Sequence, residues 1–145
     1  MAIPTIGDHI TDAVLRDRSG AEHKLSDFND KPMLISFWSV TCLICMKAAR
    51  DLKKLHENYV EKLNIISVNM DTDDARWEAG TQRDNISWAN LSDSLGYSAG
   101  IGKEYGIVSY PAYVLINDEG IIIDRWMGYK LGRFEEKMEE HFGDQ

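Results

Sequence analysis

Residues 33–45 read MLISFWSVTCLIC. The run Met33–Trp38, bounded upstream by Lys31-Pro32, predicts a strand buried on both faces. Cys42 stands four residues beyond it and Cys45 three further on. Apolar side chains then recur at Cys45, Ala48, Ala49, Leu52, Leu55, Tyr59 and Leu63, while Lys47, Arg50, Lys54 and Glu57 fall on the opposite side. That i, i+3, i+4, i+7 spacing is an amphipathic helix. The stretch Asn64–Met70 (NIISVNM) is a second strand. The order β-α-β implies a parallel pair joined by a right-handed crossover.

Working outward, residues 11–17 (TDAVLRD) alternate in polarity, Arg18-Ser19-Gly20-Ala21 is a turn signal, and Glu22–Leu25 returns as the second arm of a hairpin. Residues 71–109 are less regular: a short helix over Asp73–Arg83, then a stretch spaced by Gly96, Gly100, Gly102 and Gly106, with a helical turn at Ile101–Tyr105. Ala112–Asn117 (AYVLIN) is a strand, Asp118-Glu119-Gly120 its turn, and Ile121–Met127 its antiparallel partner. Leu131–Phe142 closes the chain as an acidic amphipathic helix with Phe134, Met138, His141 and Phe142 inward. The sum is one three-layer α/β domain over residues 1–145, with a hairpin extension at 1–30 and an insertion at 71–109.

Composition narrows the function. The 145 residues are 43% hydrophobic, enough for a core. Sixteen Lys+Arg against twenty-four Asp+Glu leave a net charge of −8, which repels phosphates and argues against nucleic acid or anionic lipid as a partner. Strictly apolar runs such as Met33-Leu34-Ile35 are far too short to cross a membrane as a helix. The first ten residues, MAIPTIGDHI, lack the basic flank and apolar stretch of a signal peptide. Two readings follow: a cytoplasmic protein, or a mature form whose leader has been removed.

Cys42 and Cys45 are the only cysteines, too few for a disulfide scaffold or, without two further ligands, a zinc site. His9, His23, His56 and His141 show no paired metal spacing beside them, so no metal is expected. At the start of a helix, Cys42 meets unsatisfied N–H groups and the positive end of the dipole, which favour thiolate over thiol. Thr41 is placed to cap that helix. Cys45, about one turn on, is close enough to attack a mixed disulfide on Cys42: one exposed nucleophile, one less accessible resolving thiol. An inert buried pair is the alternative reading.

Phe37–Cys45 (FWSVTCLIC) resembles the active-site segment of thioredoxin-like proteins. Tyr110-Pro111, preceded by Tyr105-Gly106-Ile107-Val108 and followed by AYVLIN, is similar to their cis-proline loop and following strand. The hairpin, Leu25-Ser26-Asp27-Phe28 and the insertion resemble the TlpA/ResA branch of thiol–disulfide oxidoreductases. The resemblance implies a thioredoxin-like fold, with a central mixed sheet flanked by helices. Cys42 becomes the attacking cysteine, Cys45 the resolving one, Pro111 a cis-proline facing the pair, and Trp38 the aromatic residue beneath it. The Tyr110 backbone, with Thr41 nearby, would line the groove where an extended substrate segment pairs.

The resemblance further implies protein thiol or disulfide substrates, more in the reducing direction, and an upstream reductant such as a membrane thiol–disulfide carrier. It implies no organic cofactor beyond the Cys42–Cys45 disulfide, and a place outside the cytoplasm, in the periplasm or tethered to a membrane. Several positions depart from the pattern. Leu43-Ile44 stands where a Gly-Pro or Glu-Pro is common, and Thr41 replaces a tryptophan. Ser36 and Ala48 occupy positions where relatives carry an Asp or a Glu, and neither accepts a proton as a carboxylate does. Resolution by Cys45 is then slow unless an ordered water or a carboxylate from residues 71–109 substitutes.

Other readings are weaker. Ser39-Val40-Thr41-Cys42 fits the fragment around a peroxidatic cysteine, but Ile35 stands where peroxiredoxins have a proline. A binding module with weak redox activity is the other alternative. The glycines 96–106 match neither phosphate-binding pattern, since Tyr97, Glu104 and Tyr105 occupy required positions. Trp77, Trp88, Tyr97 and Tyr110 are candidates for an aromatic rim, with Trp77 and Trp88 as partner contacts.

Overall fold

A computed structural model of the chain describes residues 2–143. The central sheet runs β5(Ala89–Leu91), β4(Asn64–Asn69), β3(Met33–Trp38), β6(Ala112–Ile116), β7(Ile122–Met127) in space. β3, β4 and β5 are parallel, β6 runs antiparallel to β3, and β7 antiparallel to β6. This is the mixed sheet that the β-α-β and β-β halves predict, joined by pairing β3 with β6.

All six residues of β3 are buried, because the two faces of the sheet feed separate cores. Met33, Ile35 and Phe37 face Ile66, Val68, Val114 and Ile116, under Leu15, Leu25, Ile101 and Tyr105. Leu34 faces Ile65, Tyr113 and Leu115, under Leu52 and Leu55 of α1(Ile44–Tyr59) and Phe134 and Met138 of α4(Arg133–Phe142). The period of two along the strand therefore sends Ser36 and Trp38 to the α1 side, where the cysteines lie.

The hairpin forms as expected, with β1(Val14–Arg16) antiparallel to β2(Glu22–Lys24). Leu15 and Leu25 enter the core, Arg16 bridges to Ser92 beyond β5, and the Tyr105 hydroxyl donates to Thr11 O while accepting from Thr11 N–H. The insertion contains α2(Asp74–Asp84), β5 and α3(Gly100–Glu104). β5 was not expected: three residues are too few to display a period, and its pairing with Ile66–Val68 defines it.

Two expectations need correction. α1 begins at Ile44, with Leu43 as its N-cap and no side-chain cap bond. The Thr41 hydroxyl lies instead 3.1 Å from the Ser39 hydroxyl, so a turn spends the residues that would have formed the first helical turn. Trp77 and Trp88 are 4% and 7% exposed. They belong to the interior, so neither is available as a partner contact. No helix among the described residues is long and apolar enough to cross a membrane.

Candidate active site

Beyond Trp38 the chain turns sharply. Cys42 N–H donates to Ser39 O, Cys45 N–H to Cys42 O, and Met46 N–H to Leu43 O, which winds the backbone into α1. Cys42 and Cys45 form a disulfide, with Cα atoms 5.3 Å apart. Cys42 is half-buried and Cys45 is 3% exposed, the ordering that an attacking and a resolving thiol require. The first turn of α1 holds no acidic residue, so nothing there offsets the positive helix end that stabilises a thiolate.

The loop before Cys42 is braced from two sides. Asp71, 8% exposed, accepts from the Ser39 hydroxyl at 2.8 Å, from Val40 N–H at 3.0 Å and from Asn69 Nδ2 at 2.8 Å. On the other side Arg83 Nη1 donates to Val40 O at 2.5 Å, while its Nε and Nη2 pair with the two Asp84 carboxylate oxygens at 2.8 and 3.2 Å. The sequence does not distinguish this acid or this arginine from its neighbours. Both lie at element ends, where sequence shows only one charged residue among many.

Trp38 packs with Cys45 and Trp77, and Cys42, Ile86 and Tyr110 lean on that cluster. An added Cβ on Gly80 of α2 would sit 2.6 Å from Trp38 Cζ3, so α2 approaches the indole through its glycine. The Tyr110–Pro111 peptide is cis, and Pro111 is buried and borders the same small cavity as Cys45. The Tyr110 ring stacks on Tyr97 at 5.2 Å. Burial, and then the Tyr97 hydroxyl beside it, push the Tyr110 phenol far above its ordinary range, so it acts as a donor and not a base. Thr41 is exposed at the rim. Trp38, Cys42, Cys45, Tyr110 and Pro111 thus converge, with Tyr97 beside them, while Trp77 and Trp88 form the floor.

One grouping of His and carboxylates stands apart from the cysteines, at Asp124, Glu140 and His141. Lys137 Nζ donates at 2.8 Å to the same Asp124 oxygen that faces His141, so an ammonium already supplies positive charge there.

This fold, with a disulfide bridging a C-x-x-C pair at a helix start opposite a cis-proline, defines a thiol–disulfide oxidoreductase of the thioredoxin-like type. The pattern of the AhpC/TSA family matches residues 6–125, and the chain belongs to that family. Among characterised relatives, the thioredoxin-like protein YneN of Bacillus subtilis is 26% identical over 84% of this chain and 71% of its own length. The thiol–disulfide oxidoreductase ResA of Bacillus thuringiensis is 27% identical over 94% of this chain and 76% of its own. Among solved structures, a thiol–disulfide oxidoreductase from Bacteroides fragilis superposes with a TM-score of 0.80 at 23% identity, covering 92% of this chain and 98% of that one. A thiol:disulfide interchange protein from a Bacteroides species reaches 0.81 at 22% identity, covering 95% and 90%.

Proposed function

We propose that the protein reduces disulfides in protein substrates, with Cys42 as nucleophile and Cys45 as resolving thiol. The observation that carries this reading is the half-buried Cys42 bonded to a buried Cys45, beside an accessible rim. Leu43 and Val108 are each 74% exposed and Tyr97 47%, apolar surface flanking the disulfide on the active-site turn and near the Tyr110-Pro111 segment. Such patches are characteristic of places where another chain docks, and an extended segment can pair with backbone beside the proline.

In the reducing direction the Cys42 thiolate attacks a substrate disulfide and joins one of its sulfurs, releasing the other. Cys45 then displaces the joined sulfur and leaves the Cys42–Cys45 bond. An upstream reductant, a membrane thiol–disulfide carrier in this proposal, returns the pair to dithiol. The similarity to ResA supports placing this chemistry outside the cytoplasm. A Cys45→Ser variant tests the reading: it is expected to accumulate Cys42-linked mixed disulfides with protein substrates, reversed by added dithiol. Absence of any such adduct, with Cys42 still alkylatable, contradicts it.

A further inference from the structure

We propose that Asp84 is the proton acceptor for the Cys45 thiol, acting across the small cavity that both side chains line. The inference rests on the disulfide-exchange reading above and names a group that this reading lacks.

Resolution needs Cys45 as a thiolate. A free cysteine titrates near pH 8.5, and burial disfavours the charged form further. At 3% exposure, Cys45 depends on an internal base. Ser36 and Ala48 supply none, yet both border the cavity. Asp84 is the one carboxylate in that lining, and its side chain is 1% exposed. The Arg83 guanidinium pairs with both oxygens of that carboxylate through its Nε and Nη2. Because Arg83 also holds Val40 O, the base is tied to the turn that carries Cys42.

The cavity is small and mostly apolar, walled by Trp38, Leu52, Ile86 and Trp88 with a few polar groups among them. Its volume of about 10 Å³ is at the lower edge of what holds one water. Ser36, Ser67 and Tyr113 border it, and the buried Tyr113 hydroxyl, beside the Ser36 hydroxyl, makes no hydrogen bond of good geometry among the described residues. Burial holds that phenol far above its ordinary range, so it can orient a proton relay but not remove the proton. The other charged and titratable groups around the cavity are Arg83 on α2, Cys42 on the turn and His56 of α1, tilted on Trp88 at 6.2 Å. Asp51 of α1 and its hydrogen-bonded partner Tyr129 add their field at Tyr113.

The Cys45 S–H proton passes to the Asp84 carboxylate. The thiolate electron pair forms the new bond to Cys42 Sγ, and the bond from Cys42 to the substrate sulfur breaks. The substrate leaves as a thiolate and takes up a proton from water, while Asp84 returns its own. The two electrons come from the protein dithiol and go to the substrate disulfide.

Reaction of the reduced protein with the aromatic disulfide DTNB separates the two steps, since Cys42 attack and Cys45 resolution each release one coloured thiolate. Asp84→Asn is expected to leave the first release within threefold of the unaltered protein. It should slow the second about 100-fold at neutral pH, the gap closing as pH rises past the ordinary cysteine range, with Asp84→Glu recovering most of the rate. A second release within threefold of the unaltered protein between about pH 6 and 9, or a slowing that does not vary with pH, overturns the assignment. Absence of the first release from the unaltered protein overturns the disulfide-exchange reading instead. Should Asp84→Asn not fold, the carboxyl carbon-13 resonance of Asp84 is followed in the unaltered protein. Its titration is expected to shift between the disulfide and dithiol forms, and an unchanged titration contradicts the proposal.

Discussion

The segment from Met33 to Cys45 and the helix α2, Asp74–Asp84, meet at one site but announce themselves very differently. The first is a buried strand followed by a C-x-x-C, and the burial of the strand and the helix after the cysteines are as the sequence suggests. The second is a polar helix that buries Trp77, Gly80 and the side chain of Asp84. Yet α2 places its glycine on Trp38, its arginine on Val40 O and its aspartate in the cavity under Cys45. The motif supplies the paired sulfurs, while an insertion from elsewhere in the chain sets their surroundings.

The sharpest way to break the comparison is at the sulfurs. Cys42→Ser is expected to abolish disulfide reduction, a loss above about 1,000-fold, in a turbidity assay of insulin reduction, with the fold retained by circular dichroism. Residual activity within tenfold would move the nucleophile away from the motif. Asp71→Ala comes next, because it strips three donors of their acceptor at once. The variant should lose about 2–3 kcal/mol of stability in urea unfolding, with slower Cys42 alkylation as the loop loosens. Unchanged stability would mean that Arg83 alone holds Val40.

Gly80→Ala tests the α2 side directly. Its Cβ would press on the Trp38 indole, a crowding that costs about 1–3 kcal/mol, read by denaturation and by a change in tryptophan fluorescence. Far from the site, Tyr105 is pushed up to about 12, chiefly by burial. The unfolded chain loses this proton first, so it binds fewer protons than the folded one and stability falls as pH rises. The loss should begin near pH 10 and run to about 12, and Tyr105→Phe should reduce that slope while costing about 1 kcal/mol at neutral pH. The smallest effect is expected at Leu43→Ser: stability within about 0.5 kcal/mol, but a several-fold higher KM for protein substrates.

The legible parts of the molecule are those where a local pattern carries the meaning. Met33–Trp38 is apolar enough to be a central strand, and the helix spacing from Cys45 to Tyr59 carries across α1. Tyr110-Pro111 was identified by resemblance rather than periodicity. With Ser36 and Ala48 beside the pair, the sequence leaves the proton acceptor to an ordered water or a carboxylate from residues 71–109 and singles out neither. Asp71, Asp73, Asp74, Asp84 and Asp93 were equivalent in one dimension. Only the packing of α2 beside α1 buries the Asp84 side chain while leaving Asp74 77% exposed. β5 was hidden for a related reason, since its three residues gain identity from hydrogen bonds to β4. The missing cap at Thr41 reflects a competing local bond between hydroxyls.

The most direct test of the central claim is a redox titration of the Cys42–Cys45 pair against defined dithiol buffers, followed by the fluorescence of the adjacent Trp38. A single reversible two-electron transition is expected, closer to the roughly −270 mV of thioredoxin than to the roughly −120 mV of the oxidant DsbA. No reversible transition, in a protein that remains folded throughout, would contradict the assignment of this pair as the working site.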